Sequence, residues 1–136
     1  MSMRFISPRV HGVLDYAVAA GLIGAPLVLD FAVSSVASAV LSIAAGIGLT
    51  AYSLLTNYSA GLRRLIPWRI HLMLDATAAV VLLAAPFVFA FGGVARVFYV
   101  TVAISVLAVV AATQTDTDTA AAVVTQRPVV SRPSAS

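Results

Sequence analysis

The chain has no cysteine, no lysine and no glutamate. Without cysteine there is no disulfide, no thiolate metal site, no thiol redox chemistry and no covalent c-type haem attachment. Without glutamate the carboxylate side chains are confined to Asp15, Asp30, Asp75, Asp116 and Asp118. Without lysine, all eight basic residues are arginine. Charge as a whole is scarce: 10% of the 136 residues are charged and 61% are hydrophobic, where a soluble domain carries about 25% charged residues. A domain this short buries the smallest fraction of its surface, so a single water-soluble core could not hide that much apolar side chain. A bilayer as solvent removes the difficulty. The arginines stand at the ends of the apolar runs, where they read as topology signals rather than as a nucleic-acid footprint.

Four apolar runs are long enough to cross a membrane, since about 20 residues at ~1.5 Å each span the hydrocarbon. The first comes after a short polar lead. Ser7 is placed to cap it and Pro8 suits its first turn, where a missing N–H costs nothing. Met1 to Arg4 followed by Ala17-Val18-Ala19 imitates a secretory leader, but His11 and Asp15 interrupt the run, and we read it as a span. It continues to about Leu29. Pro26 near its end frees the carbonyl four residues back and is expected to kink or end the helix there; Pro86 is expected to do the same in the third span. The second span is expected from about Ala32 to Leu55, with small residues at Ser34, Ser38, Ser42, Gly46 and Thr50. Such a ridge allows close approach of another helix, from the same chain or from a second copy. Pro67 opens the third span, which runs to about Phe91. The fourth runs from about Val94 to Ala112, after the Gly92-Gly93 turn. Tyr52, Tyr58 and Trp68 bracket the central connection and are expected at the headgroup level.

The resulting division is a lead (1–7), a first two-helix unit (8–56), a linker (57–66), a second two-helix unit (67–113) and a polar tail (114–136) expected to be disordered. With four spans, Arg4, Arg9, Arg63, Arg64, Arg69, Arg127 and Arg132 share one side and Arg96 stands alone on the other. The positive-inside rule then puts both termini in the cytoplasm.

The two units carry the same stretch. Pro8-Arg9-Val10-His11-Gly12-Val13-Leu14-Asp15 is matched sixty positions on by Trp68-Arg69-Ile70-His71-Leu72-Met73-Leu74-Asp75. Each unit holds an even number of spans, so the copies should be parallel, related by an axis along the membrane normal. The fold expected is therefore an all-α membrane protein of four transmembrane helices, arranged as two parallel two-helix repeats. Arg9, Arg69 and Trp68 are read as interface anchors, the arginines snorkelling to headgroups. His11 and Asp15 share a helix face, as do His71 and Asp75, and all four lie at one depth. An ionised Asp at a helix centre costs about 2.5–3.5 kcal/mol, so the two carboxylates should face the bundle interior and pair, His11 with Asp15 and His71 with Asp75.

Three readings compete for these four residues. The first is structural: hydrogen bonds that set the register of the first and third spans. The second is binding or transport of a small solute, an ion or a proton. The third is a metal or haem site with His11 and His71 as ligands. The structural or interaction role is carried forward, with no catalytic residue, no cofactor and no metal assigned. No phosphate-binding loop or activated nucleophile argues for an enzyme. The partners expected are the lipid bilayer and either a second copy or another membrane protein, with no nucleic acid.

The Arg-x-His-x-x-x-Asp runs at residues 9–15 and 69–75, with Ala25-Pro26-Leu27 and Ala85-Pro86-Phe87 near the ends of the same spans, resemble the SPW-repeat family of small bacterial membrane proteins. The resemblance covers about residues 6–113. It implies two-span units and a bacterial inner-membrane location. The naming Ser-Pro-Trp motif is degenerate here, keeping its proline. The family brings no activity with it.

Overall fold

The computed structural model describes residues 5–56, 61–63 and 65–115, Ser34 by its backbone alone. Arg4, Tyr58, Arg64, Asp116, Asp118, Arg127, Arg132 and the tail from residue 116 lie outside the described residues. Within them the chain is all-helical. Its elements are α1 (Pro8–Val28), α2 (Phe31–Ser34), α3 (Val36–Leu55), α4 (Trp68–Val88) and α5 (Gly93–Ala112). All but α2 are long and apolar enough to cross a membrane.

Local chemistry sets the ends. Ser7 caps α1 by accepting from the Val10 N–H, with Pro8 in the first turn. At the far end the Leu29 N–H closes on the Ala25 carbonyl, and Asp30 turns the chain with φ of 52°. Asp tolerates this left-handed conformation better than most residues. Ala90, sixty positions on, has φ of 54°. The second span starts later than the hydropathy suggests. Phe31–Ser34 forms one separate turn, and Ser35, extended at φ of −170°, restarts the helix by accepting from the Ser38 N–H. A serine side chain satisfies an otherwise orphaned amide there. The third span likewise stops at Val88, short of Phe91.

Pro26 does not end α1 at once; two more helical residues come after it. The carbonyl that it leaves without an intrahelical donor is that of Leu22. The Ser42 hydroxyl of α3 donates to it at 2.6 Å. The small-residue ridge therefore lies against α1 of the same chain. A methyl added at Gly46 would stand 2.7 Å from Ile23 Cγ1 and 2.9 Å from the Ala19 carbonyl oxygen. Ser38, Ser42 and Gly46 are all buried, Ser42 and Gly46 against α1, and the buried face then drifts to Leu49 and Ser53 rather than to Thr50. Thr50 returns its hydroxyl to the Gly46 carbonyl.

α1 packs closely on α3, and α4 on α5, and the two pairs meet more sparsely. Phe31 and Phe91 plug the end where these pairs turn; Phe31 sits edge-on to Phe98, and Phe91 to Tyr99. The Tyr99 hydroxyl crosses between pairs to the Ser38 carbonyl at 2.7 Å. At the opposite end, Ile6 runs beside Thr113 and Ile66 beside Thr56 in two isolated parallel bridges. This gathers the starts of α1 and α4 and the finishes of α3 and α5 at one end. Arg9, Arg63 and Arg69 are exposed there. Arg96, in the first turn of α5, is at the other end, donating to the Phe91 carbonyl at 2.8 Å. Val13, Val40, Ile47, Met73, Val80, Val97 and Ile104 all face outward. Helices apolar on their outer as well as their inner faces suit a lipid surround rather than water.

Candidate functional site

His11 stands one turn into α1 and Asp15 one turn further; His71 and Asp75 do the same in α4. All four side chains are buried, with relative exposures from 0% to 6%. They converge. His11 Nε2 lies 2.9 Å from Asp75 Oδ2 and 3.2 Å from Asp15 Oδ1. His71 Nε2 lies 3.0 Å from Asp15 Oδ2 and 3.1 Å from Asp75 Oδ2. The contacts form a closed ring in which nitrogen and oxygen alternate. For each imidazole the shorter contact goes to the other helix, not to the i+4 carboxylate that helix geometry alone would favour. The expected His11–Asp15 and His71–Asp75 pairing thus holds only as half of the arrangement.

The outer faces of the ring are held as well. His11 Nδ1 meets Thr113 Oγ1 at 2.8 Å, and His71 Nδ1 meets Thr56 Oγ1 at 2.9 Å. Each threonine gives its one hydroxyl proton to a carbonyl four residues back, Thr113 to Val109 at 2.6 Å and Thr56 to Tyr52 at 2.7 Å. A hydroxyl whose proton is committed can only accept from the imidazole. Both Nδ1 atoms therefore carry hydrogen, an assignment that rests on the hydrogen-bond pattern. Each Nε2 faces carboxylate oxygens, so one further proton per imidazole must be shared across the ring. Two histidines and two aspartates with two shared protons make a cluster of zero net charge, whichever atom each proton rests on. That neutrality is what an apolar surround demands.

Tyr52 completes the set by donating to Asp75 Oδ1 at 2.5 Å. Its ring lies 5.2 Å from that of His71. Trp68 covers the outer end. Its indole stacks on His71 at 5.3 Å and 14°, meets His11 edge-on at 5.1 Å, and donates from Nε1 to the Gln114 carbonyl at 3.0 Å. The sequence alone reads both aromatics as headgroup-level residues; in the structure the polar edge of each finds an acceptor within the protein, Tyr52 at Asp75 and Trp68 at the Gln114 carbonyl, as such edges do when they are drawn into a fold. Arg9 and Arg69 are exposed in the first turns, outside the ring.

Below the ring, between the helix pairs, lies a cavity of about 340 Å³. His11, Asp15, Tyr52 and Asp75 form its polar end, and its walls include Leu22, Leu49, Leu82 and Val106. The imidazole centroids are 5.6 Å apart and both Nε2 atoms address the same carboxylates, which link the two rings.

Sequence reasoning missed Thr56, Thr113 and the inward role of Tyr52. The signal for the threonines was weak but present: each is the first residue past an apolar run. Comparison with family models, curated proteins and solved structures finds no match to this chain.

Proposed function

We propose that this is a multi-pass protein of the bacterial inner membrane, built of two parallel two-helix repeats with both termini cytoplasmic. In this reading it has a structural or interaction role and no catalytic one, and its His/Asp ring is a clasp that fixes how the two hairpins register. The observation that carries the reading is that one buried, neutral ring draws on all four long helices. α1 and α4 supply His11, Asp15, His71 and Asp75. Tyr52 belongs to α3, and Thr56 and Thr113 cap α3 and α5. Away from the ring the pairs meet chiefly at the opposite end, where Tyr99 reaches the Ser38 carbonyl and Phe31 packs on Phe98. Polar bonds between membrane helices are worth only ~0.6–2 kcal/mol each, yet they define register. The membrane assignment is supported by the four apolar spans and the outward apolar faces. Orientation rests on the arginine bias, and the family reading on the resemblance to SPW-repeat proteins. A protein partner, whether a second copy or another membrane protein, would be met through the outer faces, since the small-residue ridge is used within the chain.

The test uses the absence of native cysteine. Spin labels at Val13 and Met73, both lipid-facing, report the distance between hairpins; labels at Val13 and Ile47 report the distance within one. In His11→Phe/His71→Phe the first distribution should broaden while the second stays narrow. An unchanged first distribution would rule the clasp out.

One observation favours a second reading, the binding of a small solute. The cavity ends on the ring, and its walls, being almost wholly apolar, suit an apolar molecule with one polar end rather than a hydrated ion.

A further inference from the structure

We propose that the His11/Asp15/His71/Asp75 ring is a binding site for a divalent transition-metal ion of the Zn²⁺ class. This deepens the clasp and rests on it, because it needs the same convergence of α1 and α4.

Spacing is the first support. The four ring contacts measure 2.9, 3.0, 3.1 and 3.2 Å. Tetrahedral Zn²⁺ with bonds of about 2.0–2.1 Å has ligand–ligand edges of ~3.3 Å. One ligand atom from each of the four residues lies within 4.8 Å of the other three, so closing on an ion requires the widest of these separations to shrink by up to about 1.5 Å. The donor set is the second support. Two imidazoles and two carboxylates suit Zn²⁺ and its neighbours, whereas Mg²⁺ and Ca²⁺ take oxygen ligands.

The outer shell is the third support, and it is independent of the ring distances. A ligating histidine commonly donates its other N–H to an acceptor that fixes tautomer and ring orientation. Here Thr56 and Thr113 play that part, with their own protons committed to backbone carbonyls. The arrangement keeps hydrogen on Nδ1 and aims Nε2 at the ring centre. Tyr52 holds Asp75 Oδ1 and leaves Oδ2 facing inward. A buried imidazole needs a partner on each nitrogen in either case, so what bears on a metal is the aim: both Nε2 atoms point at the same two carboxylates.

Charge closes the balance. The ion enters as the two shared protons leave to solvent, so two neutral imidazoles, two carboxylates and M²⁺ again sum to zero. No redox step and no co-reactant are involved. The exchange therefore adds no net charge to the apolar interior, which is where most of the cost of an isolated buried ion would arise.

The full-length, untagged chain is solubilised in detergent, stripped with chelator and titrated with Co²⁺. With both of its histidines in the ring and no cysteine, it has few rival ligands. The expected result is one Co²⁺ per chain, intense visible d–d bands of four-coordinate cobalt, and their loss on adding Zn²⁺. His71→Gln and Asp15→Asn should abolish the bands. Thr56→Val keeps all four ligands and should retain the spectrum with about 10–100-fold weaker affinity. The absence of bands, with a Val13–Met73 distance that still broadens in His11→Phe/His71→Phe, overturns the metal site and leaves the clasp standing. Bands that survive His71→Gln at full intensity also overturn it. Bands lost in His71→Gln, with an interhairpin distance that ignores the ring variants, uphold the metal and overturn the clasp.

Discussion

Removing one member of the ring should cost more than removing all of it. Consider His71→Phe. It deletes the contacts of Nε2 to Asp15 at 3.0 Å and to Asp75 at 3.1 Å, and the Nδ1 bond to Thr56 at 2.9 Å. The larger consequence is what stays behind. Two buried carboxylates are left with one imidazole, so the ring carries a net negative charge or must take a proton from water. Breaking a buried ion pair from one side costs about 3–5 kcal/mol, and that is the loss expected. The threonine side is not stranded, because Thr56 still donates to the Tyr52 carbonyl. Now replace the whole set: His11→Leu, Asp15→Leu, His71→Leu, Asp75→Leu and Tyr52→Phe, the last because its hydroxyl would lose Asp75. Among the described residues no ring charge or orphaned donor remains, and the variant should fall within about 2 kcal/mol of the parent, since apolar replacement of buried ionic groups is often neutral or better. Independent effects would instead sum to more than ~10 kcal/mol. The assay is reversible unfolding in mixed micelles, in metal-free buffer, with the free energy extrapolated from the denaturing-detergent dependence. A five-fold variant that loses the sum of its singles would refute the reasoning. So would a His71→Phe loss under about 1 kcal/mol, which would mean that the ring is not desolvated.

Two other sites carry expected outcomes of their own. Ser42→Ala removes the donor to the Leu22 carbonyl, which Pro26 leaves without an intrahelical partner; the loss should be about 1–3 kcal/mol. Pro26→Ala added to it restores an N–H for that carbonyl and should recover most of the loss in the same unfolding assay, whereas strict additivity of the two would discredit the pairing. Ala78→Phe projects into the cavity beneath the ring. Under the clasp alone it should leave stability and the Val13–Met73 distance unchanged to within about 1 kcal/mol. Loss of a cellular phenotype with both preserved would favour the small-solute reading.

Much of the helical layout is legible from hydropathy, because apolar runs of about 20 residues leave few alternatives. The break at Ser35 is not. Phe31–Ser34 is as apolar and small as the first turns of α3, and either Ser34 or Ser35 could cap; the choice falls on Ser35 because Phe31 is drawn into the buried contact with Phe98. Membership of the ring is legible too, since spacing and the penalty on buried carboxylates single out His11, Asp15, His71 and Asp75. Their outer partners are not, and the reason is a change of offset. Residues 29–35 join α1 to α3, and residues 89–92 join α4 to α5. The second connection is three residues shorter, so a sixty-residue offset in the first helix of each pair becomes fifty-seven in the second. Thr56 and Thr113 correspond at that second offset, where a search for sixty-residue matches does not look.

At that second offset one residue difference explains why the ring departs from symmetry. Under the proposed architecture two parallel repeats bring equal depths face to face, and the crossed contacts of His11 to Asp75 and His71 to Asp15, at 2.9 and 3.0 Å, are such a matched pair. An inverted repeat would have put the two His/Asp pairs at opposite faces of the bilayer. The carboxylates nevertheless behave differently. Asp15 turns one oxygen to each imidazole, whereas Asp75 turns Oδ2 to both. Tyr52 accounts for this: its hydroxyl claims Asp75 Oδ1, and the position fifty-seven residues on is Val109, whose side chain has no proton to give. A carboxylate held from outside by a phenol must offer its remaining oxygen to both rings at once. Tyr52→Phe should therefore free Asp75 to rotate toward the Asp15 pattern, and the asymmetry of the ring belongs to α3 rather than to the duplicated stretch itself.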